Sequence, residues 1–122
     1  MVLVVDDEPA IRRLLLTVLS EGDWDTVTMP DAETALRLID VRTPDAMVVD
    51  ICLPGMDGVE FARRVRSAVG CIPLAFISAW EEPPAEAMSP AAPVAYFRKP
   101  FDVEALAGWV TDVMSDRRRL RP

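Results

Sequence analysis

Short apolar runs alternate with segments of helical period along almost the whole chain, and this alternation limits the fold more than any other feature. It is typical of a parallel sheet that is covered by helices on both faces. The predicted strands are residues 2–5, 24–29, 45–50, 72–78 and 94–97. We therefore expect an α/β domain with an open, doubly wound, five-stranded sheet.

The connecting segments carry helix signals. The first predicted helix begins at Pro9, a residue that suits the first helical position. The other helices are expected to follow Asp31, Asp57 and Asp102, whose carboxylates can accept hydrogen bonds from free amides at a helix start. The first helix should bury Ile11, Leu14, Leu15, Val18 and Leu19, with Arg12, Arg13 and Thr17 on the other face. The next two should bury Ala32, Ala35, Leu36, Ile39, Phe61, Val65 and Val69, and the last Leu106, Trp109, Val110 and Val113.

The segment between the last two predicted strands contains four prolines, at positions 83, 84, 90 and 93. Proline disrupts a helix interior and disfavours helical geometry in the residue before it. We therefore expect the helix of this segment to be short or irregular, with at most about two turns from Pro83 to Met88.

The composition is that of one ordinary globular domain. The chain has 122 residues, of which 51% are hydrophobic and 27% are charged, so it can bury a core without disulfides. We expect residues 1–116 to form this domain and the basic residues 117–122 to be a tail or a linker stub. The net charge of −7 argues against nucleic-acid binding by the domain itself.

Hydropathy and cysteine usage give no sign of export or of a membrane anchor. The longest apolar runs are far shorter than the roughly 20 residues needed to cross a bilayer. No basic segment precedes an apolar stretch at the start of the chain. Cys52 and Cys71 lie in different predicted elements, as expected for free thiols. We therefore expect a cytoplasmic protein.

Polar residues of complementary charge follow the predicted strands at their carboxyl ends. Asp6 and Asp7 follow the first strand, and Asp50 ends the third. Ser78 and Lys99 stand at the ends of the fourth and fifth strands. Doubly wound sheets bind ligands outside the carboxyl ends of the strands, where the winding reverses. In one common strand order, 2-1-3-4-5, this point brings all five residues to one crevice.

Three carboxylates that share a crevice repel one another unless a cation offsets their charge. The chain contains no histidine, which excludes zinc chemistry and imidazole catalysis within the chain. Hard oxygen donors favour Mg²⁺ instead. A carboxylate that is held by Mg²⁺ and flanked by an ammonium can attack phosphorus. Asp50 is therefore the candidate nucleophile, with Lys99 as the ammonium.

Four motifs in sequence order carry a resemblance to a known family. They are Val4-Val5-Asp6-Asp7-Glu8-Pro9, Val48-Val49-Asp50-Ile51-Cys52-Leu53-Pro54-Gly55-Met56-Asp57-Gly58, Phe76-Ile77-Ser78-Ala79 and Tyr96-Phe97-Arg98-Lys99-Pro100-Phe101. With these motifs, the chain resembles the receiver domains of two-component response regulators, from residue 2 to about residue 114. The resemblance implies a flavodoxin-like sheet with strand order 2-1-3-4-5.

The resemblance also implies a role for each residue of the crevice. Asp50 would accept a phosphoryl group from a phosphohistidine on a histidine kinase or a phosphotransfer protein, with Mg²⁺ as cofactor. Asp7, Asp50 and the backbone carbonyl of Cys52 would coordinate the ion, with Asp6 acting mainly through water. Lys99 would pair with the phosphoryl oxygens.

Further implied roles concern signalling. Ser78 would hydrogen-bond a phosphoryl oxygen, and Tyr96 corresponds to an aromatic switch that turns inward when the Ser78 hydroxyl moves towards the phosphoryl group. Pro100 would follow a cis peptide bond, which an X-Pro pair adopts at a cost of only about 0.5 to 1 kcal/mol. We expect residues 81–93 to be a partner-specific loop whose conformation shifts with Ser78 and Tyr96.

Two positions that border the phosphoryl group in this family hold unusual residues here. They are Cys52, two residues after the acceptor, and Trp80, two residues after Ser78. A thiol is a weak donor that orients water poorly, and an indole can cover the line of hydrolytic attack. We hypothesise that the acyl phosphate of this protein is hydrolysed slowly.

The leading interpretation is a phosphorylation-controlled switch that assists its own phosphorylation and dephosphorylation but is not an enzyme with an external substrate. Its output would pass to a downstream protein or to a missing output domain, with no membrane partner. One alternative is a receiver-like module that binds proteins independently of phosphorylation. Another is a Mg²⁺-dependent phosphatase with Asp6 as nucleophile, although position 8 then carries glutamate where that chemistry uses aspartate.

Overall fold

The computed structural model describes residues 1–85 and 94–120, with side chains as far as residue 117. This part of the chain forms five strands and four helices, in the following order along the sequence. They are β1 (Val2–Val5), α1 (Pro9–Leu19), β2 (Thr26–Met29), α2 (Ala32–Ile39), β3 (Ala46–Asp50), α3 (Gly58–Val69), β4 (Leu74–Ser78), β5 (Val94–Arg98) and α4 (Val103–Leu120).

The strands form one parallel sheet in the order β2-β1-β3-β4-β5, which confirms the expected fold. The strand starts differ from the prediction in three places. β2 begins at Thr26 rather than at residue 24, β3 at Ala46 rather than at residue 45, and β4 at Leu74 rather than at residue 72. Pro73 has no amide hydrogen, so it cannot donate to a ladder and offers only its carbonyl, to the amide of Met47.

The sheet separates two apolar cores because successive residues of a strand point to opposite faces. On one face, Leu3 and Val5 of β1 pack in a cluster with buried residues of α2 and α3. On the other face, Val2 and Val4 pack in a cluster with buried residues of α1 and α4. Helices therefore cover both faces, as the continuous apolar runs predicted.

The helix starts agree with the predicted capping residues. α1 begins at Pro9. Asp31 accepts a hydrogen bond from the Thr34 amide, Asp57 from the Glu60 amide and Asp102 from the amides of Glu104 and Ala105. These bonds satisfy amides that have no partner within the helix.

Two residues that were expected in the core lie at its edge. Leu14 of α1 is 39% exposed, because the buried stripe of that helix is centred on Leu15 and Leu19. Val69 is also 39% exposed, since it ends α3 just before the turn at Gly70. Leu36 and Trp109 are partly buried against the two clusters.

Two sequence expectations fall wholly or partly outside the described residues. The short helix from Pro83 to Met88 and the loop at 81–93 extend into residues 86–93, which lie outside the described ranges. At the other end of the chain, α4 continues to Leu120. The division into a receiver domain at 1–116 and a tail at 117–122 stays a prediction.

Three further features bear on the sequence analysis. The bond between Lys99 and Pro100 is cis, as expected. Cys52 and Cys71 are free and exposed thiols. Within the described ranges, none of the helices has the length and apolar character that crossing a membrane requires.

Candidate functional site

The five polar residues predicted from the strand ends meet at the carboxyl edge of the sheet. Asp6 and Asp7 directly follow β1, and Asp50 is the last residue of the adjacent strand β3. Ser78 ends β4, and Lys99 follows β5. The Lys99 amide donates to the Ser78 carbonyl at 2.6 Å, so the ends of these two strands are joined. The parallel order of the sheet brings all five residues to one crevice.

The three aspartates form a compact acidic cluster. One carboxylate oxygen from each of Asp6, Asp7 and Asp50 lies within 4.8 Å of the others. Asp6 and Asp50 are buried, whereas Asp7 is exposed. The cluster therefore has two fixed carboxylates at its floor and one that faces solvent.

The ammonium of Lys99 lies against this cluster. Its Nζ atom is 2.9 Å from Oδ2 of Asp50 and 3.0 Å from Oδ2 of Asp6. A third carboxylate, that of Glu8, lies 2.7 Å from the same nitrogen. Lys99 thus offsets part of the negative charge that the aspartates concentrate in the crevice.

Two groups of the site have shifted pKa values. Burial raises the pKa of Asp6, and the nearby Asp50 adds to this, although the Glu8 amide and Lys99 act in the opposite direction. Burial alone would lower the pKa of Lys99. The carboxylates of Glu8, Asp50 and Asp6 around its ammonium outweigh that effect and raise its pKa, so the side chain is firmly cationic.

Backbone amides orient the two buried carboxylates. The Glu8 amide donates to Oδ1 of Asp6 at 2.8 Å, and the Cys52 amide donates to Oδ1 of Asp50 at 3.0 Å. In each case the amide two residues further along closes a short turn onto the aspartate. Oδ2 of each aspartate is therefore directed to the side of the crevice where Lys99 lies.

Gly58 brings α3 into direct contact with the backbone at the end of β3. Its amide donates to the carbonyl of Ile51 at 2.8 Å. A Cβ atom at this position would overlap the carbonyl oxygen of Asp50 and would lie 2.9 Å from Cα of Ile51. Only glycine allows this close approach.

The acidic cluster suits a divalent cation with oxygen ligands. Oδ2 of Asp6 is buried and accepts no hydrogen bond within the described part of the chain, although Nζ of Lys99 is 3.0 Å away. A buried carboxylate oxygen without a hydrogen bond is costly unless another group satisfies it. Carboxylates at this spacing are the ligands that Mg²⁺ prefers.

Ser78, Trp80 and Tyr96 form a hydrogen-bonded chain beside the cluster. The Trp80 amide donates to the hydroxyl of the buried Ser78 at 3.1 Å. The Tyr96 hydroxyl donates to the Trp80 carbonyl at 2.5 Å. The Trp80 backbone therefore links the two residues that were predicted to act together, while its side chain is 48% exposed.

Sequence reasoning missed two neighbours of the aspartates. The Glu8 carboxylate contacts Lys99. The Arg12 guanidinium, which was assigned to the polar face of α1, donates to the carbonyl of Asp6 at 2.8 Å. The spacing of four residues between Glu8 and Arg12 places them on one side of the helix start, a signal that could have indicated both.

Comparison with known proteins agrees with the family resemblance. The family described as response regulator receiver domain matches residues 2–111. The positive alginate biosynthesis regulatory protein of Pseudomonas aeruginosa is 38% identical over 109 residues, which are 87% of this chain and 44% of that protein. The response regulator MprA of Mycolicibacterium vanbaalenii is 34% identical over 106 residues, which are 86% of this chain and 46% of that protein. The chain thus spans less than half the length of these relatives.

A solved structure gives the same result at the level of the fold. The Francisella response regulator 1452 receiver domain has a TM-score of 0.84 and 27% identity, covering 95% of this chain and 97% of that chain. Because the family match extends over nearly the whole sequence and the fold agrees, the chain belongs to the response regulator receiver domains of two-component signalling.

Proposed function

We propose that Asp50 accepts a phosphoryl group from a phosphohistidine of a histidine kinase or a phosphotransfer protein. Because these 122 residues contain no histidine, the imidazole must come from outside this domain. The transfer is expected to need Mg²⁺ and to change a surface that binds a downstream protein or an output domain. In this role the domain is a switch and not an enzyme with an external substrate.

The observation that carries this proposal is the position of the Asp50 carboxylate. It is buried, it belongs to a cluster of three acids, and its Oδ2 is 2.9 Å from the Lys99 ammonium. An aspartate that only capped a turn would need neither the buried acids nor the ammonium. The arrangement suits a nucleophile whose reaction places more negative charge in the same crevice.

The residues suited to hold the cation are Asp7 and Asp50, the backbone carbonyl of Cys52 and, through water, Asp6. When bound, Mg²⁺ supplies positive charge next to the phosphoryl oxygens and lowers the repulsion between a carboxylate and an anionic donor. Lys99, which follows β5 at the same edge of the sheet, supplies a second positive charge.

The transfer step is a substitution at phosphorus. An oxygen of Asp50 forms a bond to phosphorus while the bond between phosphorus and the partner's imidazole nitrogen breaks, and the imidazole leaves with the electron pair. The Cys52 amide holds the Asp50 carboxylate in place through Oδ1. In the product, Lys99 and the Ser78 hydroxyl would bind the phosphoryl oxygens.

The hydrogen-bonded chain at Trp80 supports a route from the site to the surface. If the Ser78 hydroxyl moves to donate to a phosphoryl oxygen, we expect the hydrogen bond that it accepts from the Trp80 amide to change in length or direction. The Trp80 carbonyl is the acceptor of the Tyr96 hydroxyl. We therefore expect Tyr96 to respond to phosphorylation through the backbone of Trp80.

Acetyl phosphate, a small acyl phosphate, provides the direct test. With Mg²⁺ present, we expect one phosphoryl group per chain by intact-mass spectrometry and, by peptide mapping, its location on Asp50. Asp50→Asn should stay unmodified, because its amide is not a nucleophile. Labelling should also be lost with excess EDTA.

Two results of this experiment would contradict the proposal. An unmodified wild-type chain with a competent donor would favour a module that binds proteins without phosphorylation. Steady release of phosphate from phosphate esters, with no stable label, would favour a phosphatase.

A further inference from the structure

We propose that Glu8 is a positioning residue for Lys99, whose ammonium it draws towards the solvent side of the site. This keeps the acidic cluster available to Mg²⁺ until Asp50 is phosphorylated. The inference rests on the proposed function of Asp50.

The contacts of the Lys99 ammonium support this assignment. Its shortest contact, 2.7 Å, is to Oε1 of Glu8, and its contact with Oδ2 of Asp50 is 2.9 Å. Asp6 lies at 3.0 Å but its Oδ2 is not in hydrogen-bonding geometry. An ammonium has three donors, and Glu8 occupies one of them.

The Glu8 side chain has no visible role in the helix that follows it. Glu8 is the N-cap residue of α1, yet its carboxylate makes no capping hydrogen bond. Its backbone amide is used to orient Asp6. The side chain is 55% exposed, whereas those of Asp6 and Asp50 are buried. It therefore lies on the solvent side of Lys99, opposite the acids at the floor.

The first consequence concerns the cation. Without the Glu8 carboxylate, the only acids left in contact with Lys99 in the described part of the chain are Asp6 and Asp50. Both belong to the cluster that suits Mg²⁺. The ammonium and the ion would then compete for the same oxygens, so loss of Glu8 should weaken Mg²⁺ binding.

The second consequence concerns the phosphoryl group, for which loss of Glu8 should raise the affinity. Phosphoryl oxygens on Asp50 need a donor from Lys99, and Glu8 is a competing acceptor for it. Because Glu8 is half exposed, water can replace Lys99 when the contact breaks. Loss of Glu8 should therefore strengthen the binding of a phosphoryl group once Mg²⁺ is saturating.

Glu8→Gln tests both consequences by titration calorimetry. We expect its Mg²⁺ affinity to fall by about threefold to tenfold, the size expected for the loss of one partly exposed ion pair, here that between Glu8 and Lys99. At saturating Mg²⁺, its affinity for beryllium fluoride, a phosphoryl mimic, should rise by a similar factor. Glu21→Gln removes the same charge beyond the other end of α1 and should change neither affinity.

Two further variants separate the contact with Lys99 from the charge alone. Glu8→Asp keeps the charge but shortens the reach by one methylene, so it should resemble Glu8→Gln. In a Lys99→Met background, Glu8→Gln should have no effect on Mg²⁺ affinity. The inference is overturned if Glu8→Asp behaves as wild type, if the effect of Glu8→Gln persists without Lys99, or if both affinities are unchanged.

The outcome is distinguishable from a failure of the proposed function. A wild-type chain that acetyl phosphate does not label at Asp50 would remove the basis for both. A labelled wild type with unaltered Glu8 variants would overturn the role of Glu8 alone.

Discussion

Neighbouring carboxylates of this site differ in character because their surroundings differ. Asp6 and Asp50 each accept one backbone amide on Oδ1, but Asp50 also accepts a hydrogen bond from Lys99 on Oδ2. Asp7 lies at the same strand end and is exposed. At the residue scale, the proposed division between Asp50 as nucleophile and Asp6 and Asp7 as supporting acids rests on these hydrogen bonds and not on residue type.

Trp80 is expected to prolong the life of the acyl phosphate. The structure fixes its backbone between Ser78 and Tyr96 and leaves half of its side chain exposed beside the site. Replacing the indole with the amide of Trp80→Asn should admit and orient water. We expect the phosphoryl lifetime to shorten on the order of tenfold, a change of about 1.4 kcal/mol in the barrier.

The lifetime is measured from the decay of labelled protein after removal of acetyl phosphate. Trp80→Phe keeps an aromatic cover and serves as the matched control, with a lifetime close to that of wild type. An unchanged rate in Trp80→Asn would show that the indole does not shield the phosphoryl group.

At the scale of elements, the sequence was most informative where a pattern is repeated over several residues. The fully buried strands β1 and β3 were recognisable as apolar runs, and Asp31, Asp57 and Asp102 marked helix starts. The prediction was less accurate for residues at the edge of the buried face of a helix. How many residues of α1 are buried depends on the orientation of the helix on the sheet, and Leu14 is exposed in the orientation observed. A single sequence does not specify that orientation.

The same limit applies to the candidate site. The strand ends located its five main residues because parallel order makes their proximity a matter of topology. The contacts of Glu8 with Lys99 and of Arg12 with the Asp6 carbonyl depend on side-chain reach instead. The spacing of Glu8 and Arg12 indicates at most that both lie near the site, and not which partner each side chain contacts.

Asp31 provides a prediction for α2. Its carboxylate accepts hydrogen bonds from the amide and the hydroxyl of Thr34, and these bonds lower its pKa below the ordinary value. The ionised form therefore stabilises the folded state above the pKa of the unfolded chain, about 3.9. Asp31→Ala should lower the free energy of unfolding by about 1 kcal/mol at pH 7.

This difference should shrink as the pH falls through the lowered pKa of the folded state, because wild type then loses the charged cap. Urea unfolding at several pH values below about 4.5 measures it. Asp31→Asn keeps an uncharged acceptor and should show less pH dependence than wild type. A difference between wild type and Asp31→Ala that stays constant in acid would contradict the assignment.

At the scale of the whole molecule, the acidic cluster couples cation binding to the stability of the fold. Three carboxylates are held within 4.8 Å of one another at the edge of a sheet that has an apolar cluster on each face. The repulsion between Asp50 and the adjacent pair Asp6 and Asp7 arises in the folded state, where the strand ends meet. A cation that binds there must therefore stabilise the folded chain over the unfolded one.

We expect Mg²⁺ to raise the free energy of unfolding by about 1.4 kcal/mol at a free concentration of ten times its Kd. Thermal unfolding with MgCl₂ and with NaCl of equal ionic strength measures this effect, and EDTA should reverse it. Asp7→Asn is the matched control, because Asp7 is exposed and its replacement leaves the core intact. An equal shift in Asp7→Asn would indicate a general salt effect.

Gly58, the first residue of α3, restricts movement between α3 and the end of β3. Gly58 packs directly on the backbone of Asp50 and Ile51, with no side chain between them. We therefore expect α3 and β3 to move little relative to each other at this point. Across the crevice, the β4 and β5 ends are joined through hydroxyl, amide and carbonyl groups that can exchange partners. If Asp50 is phosphorylated as proposed, we therefore expect the resulting displacement to pass towards β4 and β5 and not towards α3.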